Sequence, residues 1–76
     1  MIHKLKIQPQ YFRAVCSGKK SFEIRKNDRN YKVGDHILLQ EFIPESKEYT
    51  GRVVEREITY ITDYAQKDNY VVMAII

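Results

Sequence analysis

Polar and apolar residues alternate from the second position of the chain. Over Ile2–Ile7, His3, Leu5 and Ile7 fall on one side and Ile2, Lys4 and Lys6 on the other. That is the period of a half-buried strand with a basic outer face. Pro9 follows, where the first N–H of a helix has no intrahelical partner, so a proline opens the helix at no cost. Tyr11, Phe12, Val15 and Cys16 recur at helical spacing, and Gly18 supplies a C-terminal cap. The pattern predicts a helix of about two turns over Pro9–Ser17.

Period two returns over Lys20–Lys26, with Phe22 and Ile24 on one face and Ser21, Glu23 and Arg25 on the other. The aromatic side is expected to face the core. Asn27–Asn30 carries turn formers without apolar content, and Gly34-Asp35 is a second turn signal. His36–Phe42 is aliphatic and is expected to be central. Pro44–Glu48 is a polar connection. Tyr49–Ile61 is a long β-branched strand in which Gly51 marks a bend or bulge. Asp63–Asn69 is polar, with room for one helical turn, and Tyr70–Ile76 closes the chain as an apolar strand. The order β-α-β-β-β-β over 1–76 predicts a single α+β domain, a small mixed β-barrel of about five strands with one short helix after the first. A single crossover helix argues against a wholly parallel sheet.

Composition narrows the classes. Seventy-six residues with 43% hydrophobic content can form one core, although a chain this short buries only ~60–65% of its unfolded surface. Thirteen Lys and Arg against ten Asp and Glu give net +3, which suits a localised anion site better than a uniformly basic surface. The lone Cys16 forms no internal disulfide and, with only His3 and His36, no thiolate-rich zinc site, so no metal or cofactor is expected. The apolar run Val71–Ile76 falls well short of the ~18–20 residues of a membrane span, and Met1–Lys6 lacks an apolar leader. The expectation is a cytoplasmic protein, off the membrane, with a reduced thiol.

The densest polar information lies between Gly18 and Arg29. A carboxylate at Glu23 between cations stays ionised and orients them, and the following loop adds Lys26, Asp28 and Arg29. Among six Tyr and three Phe, Tyr31 and Tyr11 are placed to stack on a base. Phe12, Phe22 and Phe42 are assigned to the core, and Tyr60 and Tyr70 to structure. His3 shares the face of Leu5 and Ile7 and reads as a hydrogen-bonded residue at the core's edge. His36 is expected to be exposed, and Cys16 to be a small buried hydrophobe. Glu41, Glu45, Glu48, Glu55 and Glu57, with Arg52 and Arg56, read as solvated surface.

Gly18-Lys19-Lys20-Ser21-Phe22-Glu23-Ile24-Arg25 resembles the G-x-K-x-x-E-x-R signature of ASCH domains, small β-barrels of the PUA-like superfamily. Together with His3–Ile7, Tyr11-Phe12, Arg25–Arg29, Val33–Asp35 and Ile58–Ile61, nearly the whole chain resembles the short bacterial and phage branch described as a domain of unknown function, the DUF3850 type. The resemblance implies a cleft between helix and barrel, floored by the motif strand, and RNA or a nucleotide as partner. Carried onto this chain, it has Lys20, Glu23 and Arg25 line the cleft and Gly18 make the tight exit from the helix. Ser21, Lys26, Arg29 and Tyr31 complete the expected ligand-binding set.

An amidohydrolase branch of the same superfamily, acting on acetylated cytidine, is similar at Lys20. It carries a threonine nucleophile where this chain has Glu23, and Ser21 stands ~7 Å away along the strand. A hydrolase acting on a modified nucleoside, with Lys20 and Glu23 as an acid–base pair, is therefore an alternative reading. A further alternative is a protein-interaction module that uses an exposed apolar patch or the edge of Tyr70–Ile76. The chain is expected to be a monomer or weak dimer.

Overall fold

A computed structural model describes residues 1–76. The elements are β1 (Ile2–Ile7), α1 (Pro9–Cys16), β2 (Phe22–Lys26), β3 (His36–Ile43), β4 (Glu48–Thr62) and β5 (Tyr70–Ile75). α1 opens on Pro9, closes on Ser17 and turns away through Gly18 at φ +80°, the left-handed conformation a glycine adopts without strain. Asp63–Asn69 forms turns rather than a helical turn. Ala65 and Asn69 sit at positive φ, which a right-handed helix does not allow.

The strands form one mixed sheet in the order β1-β3-β4-β5-β2. β1 runs parallel to β3, and the other neighbours are antiparallel. β4 joins the two halves: Glu48–Glu57 pair with β3, and Ile58–Thr62 pair with β5. The bulge expected near Gly51 is present. Between the pairs Gln40–Val53 and Phe42–Tyr49, Glu41 alone faces Thr50, Gly51 and Arg52.

The core gathers Leu5 and Ile7 of β1, Phe12 and Val15 of α1, Ile37 and Leu39 of β3, Ile58 of β4, and Val71, Met73 and Ile75 of β5. Tyr31 completes it from the loop between β2 and β3. His3 is buried as read, with Nε2 2.8 Å from Asp35 Oδ2 and its ring edge-on to Tyr31. That hydrogen bond holds the Asp35 carboxyl below its ordinary value.

The expected barrel is corrected, because the sheet is not closed. β1 and β2 are its two outer strands and share no backbone ladder. Side chains bridge the gap instead. Arg25 Nη2 donates to Lys6 O at 2.7 Å, and Arg29 Nη1 donates to Lys4 O at 2.7 Å. An unpaired edge carbonyl needs a donor, and a guanidinium reaches farther than a neighbouring strand would. The two edges are therefore tied together and kept apart.

Several surface assignments are also reversed. Glu41 is fully buried, and Cys16 is exposed. Phe42 is only half-buried. No helix is long and apolar enough to cross a membrane.

Candidate functional site

β2 presents its faces opposite to the simplest reading of its sequence. Glu23 is 3% exposed, whereas Phe22 and Ile24 are 42% and 51% exposed. Register with β5 is the cause. Glu23 pairs with Met73, and Arg25 with Val71. Directly paired residues share a face, so burying Met73 and Val71 carries the charged side of β2 inward. The strand accepts this because Glu23 brings its own counter-ions. Its Oε1 accepts from Lys20 Nζ, and its Oε2 accepts from Arg25 Nε at 2.8 Å. A buried carboxylate with both oxygens partnered avoids the cost of an unpaired charge. Opposite charges at i, i+2 on a single parity were the signal in the sequence, since such a face neutralises itself.

Lys20 is held from two sides, by Glu23 and by Phe22 O at 2.8 Å. Its ammonium stands 5.0 Å from the centroid of Phe22 and 5.9 Å from that of Tyr11, within cation–π range of each ring. Arg25 bridges Glu23 and Lys6 O.

Around this triad lies a cleft of about 620 Å³, where the open edges of the sheet meet the helix. Its cations are Lys6, Lys19, Lys20 and Arg25, its carboxylate is Glu23, and Tyr11, Phe22 and Ile24 give it apolar walls. Such a volume suits a small molecule of nucleotide size. Lys19 and Tyr11 are exposed at its rim.

The structure thus brings Lys20, Glu23 and Arg25 together and leaves the other expected residues outside the cleft. Gly18 shapes the exit of α1, and the exposed Ser21 gives its carbonyl to Ile75 N. Lys26 is exposed at the far end of β2, paired with Tyr70. Arg29 ties the loop to β1 instead of projecting toward a ligand. Tyr31, 6% exposed, has no open ring face, and burial pushes its phenol above the ordinary value against the opposing pull of Arg25 and Arg29. Lys6, Lys19, Phe22 and Ile24 are cleft residues that the motif alone did not mark, while Tyr11, expected as a stacking aromatic, does line the cleft. No group of three or more His, Cys, Asp and Glu side chains gathers as a metal site.

The family model described as "Domain of unknown function (DUF3850)" matches residues 2–75. The chain belongs to the DUF3850 family. A protein of Escherichia phage P2, described as an uncharacterized 12.9 kDa protein in the GpA 3' region, is 42% identical over 73 residues. That match covers 95% of this DUF3850 chain and 65% of the phage protein, so the chain spans about two thirds of its relative's length.

Proposed function

We propose that the cleft binds a nucleotide, free or as part of a single-stranded RNA. The observation that carries this reading is the inverted strand β2, which buries Glu23 between the half-buried cations Lys20 and Arg25, leaving one positive charge in excess, and turns Phe22 and Ile24 outward into the cleft. Exposed aromatic walls beside cations are what base stacking and phosphate contact require. Lys6 and Lys19 are the cations available for phosphate, while Lys20 and Arg25 hold the floor. Because both oxygens of Glu23 already accept from cations, binding is favoured over hydrolysis.

The finer fold assignment belongs to the same reading. We take the domain as an ASCH-type member of the PUA-like superfamily, supported by the convergence of the motif residues Lys20, Glu23 and Arg25 at one cleft. A monomeric cytoplasmic protein fits it.

An amide-resolved NMR titration with uridine 5′-monophosphate, at low and at physiological salt, tests the reading. Shifts at Tyr11, Lys19, Lys20 and Phe22 that weaken with salt are expected. With its one phosphate engaged, the logarithmic salt slope should be shallow, no steeper than about −0.7. Absence of shifts at both salts, with the mononucleotide and with short RNA, overturns the proposal.

A further inference from the structure

Lys6 belongs to two surfaces. It lines the cleft, yet its ammonium lies 4.5 Å from the ring centroid of Phe42 and 5.9 Å from that of Tyr49. Those rings are cross-strand partners on β3 and β4 and pack edge to face with centroids 5.0 Å apart. Tyr49 is 52% exposed and outside the core.

The backbone beneath the rings is held from behind. Buried Glu41 accepts from Thr50 Oγ1 at 2.6 Å and from Arg52 Nε at 2.8 Å, one and three residues beyond Tyr49. Gly51, at φ +92°, lets the chain make the bulge that brings both groups onto a single carboxylate. The aromatic pair is therefore presented in advance of any ligand.

We propose that Phe42 and Tyr49 form a second base-stacking platform, which takes the nucleotide next to the one in the cleft, with Lys6 contacting the phosphate between them. This rests on the cleft reading above and sharpens it: the ligand is a single-stranded RNA of at least two nucleotides, rather than a mononucleotide. Charge complementarity supports this occupant. The only cation shared by cleft and platform stands at their junction, where a linking phosphate would lie. Tyr49 is two strands from β1, ~10 Å across the sheet, so a chain leaving the cleft toward it needs a further nucleotide. Base stacking tolerates any sequence, because every base offers a π-face.

The test compares uridine 5′-monophosphate with a uridine tetranucleotide by NMR titration of the full chain and of its variants. The tetranucleotide is expected to bind about tenfold tighter or more and to add shifts at Phe42 and Tyr49. Tyr49→Ala should erase that gain and leave the monophosphate affinity unchanged, while Tyr49→Phe should retain it. Lys6→Ala leaves both rings in place and should also reduce the gain, which separates a lost platform from a misfolded arm. A tetranucleotide no tighter than the monophosphate, or a gain unaffected by Tyr49→Ala, overturns the platform and leaves the cleft reading standing. No binding of either ligand overturns both.

Discussion

Glu23 and Glu41 are both carboxylates buried on strands, and both answer to arginine, yet they do different work. Glu23 has a cation on each oxygen and lies at the floor of the cleft. Glu41 accepts on Oε1 from Thr50 and Arg52, and its buried Oε2 has no partner. It lines no cavity. The first carboxylate organises the floor of an open cleft. The second locks a bulge and is incompletely satisfied in doing so, which costs stability relative to a fully partnered group. Burial of a charge therefore does not by itself place it at a cleft; Glu23 meets open space and Glu41 does not.

The strongest way to break this comparison is Arg25→Ala. It orphans Glu23 Oε2 and Lys6 O together. Breaking a buried pair from one side should lower the unfolding free energy in urea by about 3 kcal/mol. A loss within the ~0–1 kcal/mol of an ordinary surface pair would show that the seam between β1 and β2 does not depend on it.

Acid should separate the second carboxylate. The hydrogen bond from Thr50, then the contact with Arg52, holds the Glu41 carboxyl below its ordinary 4.5 against the effect of burial. A carboxylate depressed in the folded state stabilises the fold above the ordinary value, and that contribution is lost as pH falls through the folded one. Thermal unfolding followed from pH 7 downward should therefore show stability falling below about pH 4.5, with part of the fall absent in Glu41→Gln. An identical acid profile in the variant would remove Glu41 from the account.

Ligand binding should divide the pair in the opposite sense. Glu23→Gln frees two cations of their internal counter-ion, so uridine 5′-monophosphate should bind about threefold to tenfold tighter, as expected for one unit charge removed at short range. Glu41→Gln should leave that affinity unchanged. Equal effects from both substitutions would show that the distinction between floor and anchor is false.

Lys19→Ala is expected to have the smallest effect. Lys19 is exposed and lines the cleft. Its loss should leave the unfolding midpoint unmoved and flatten the salt dependence of binding by about 0.7 in logarithmic slope, one phosphate contact.

The elements were legible from the chain because each is coded locally. Ile2–Ile7 announces β1 by alternation, and Pro9 and Gly18 bracket α1 by backbone chemistry that needs no partner. The grouping of Lys20, Glu23 and Arg25 was legible as well, since strand parity puts Glu23 beside Arg25 and the motif adds Lys20. Their surroundings were not. Arg29 and Tyr31 follow the motif in a polar loop, and nothing local says that one will bond to Lys4 O and the other will fill the core. Glu41 looks like its solvated neighbours until the bulge at Gly51 turns Thr50 and Arg52 onto it.

What the sequence determined by itself was therefore periodicity: which residues are strand, which share a face, and where the chain must turn. Periodicity specifies two faces and leaves open which of them looks inward. That choice fell to tertiary structure at β2, where pairing with Met73 and Val71 carried Glu23 and Arg25 inside and left Phe22 and Ile24 at the cleft. The same holds for closure. Five strands can complete a barrel or stop short of it, and here guanidinium groups reaching from β2 and its loop to β1 carbonyls hold the last gap open. Hydrogen bonds between residues nineteen and twenty-five positions apart are set by three-dimensional register, which no local pattern records.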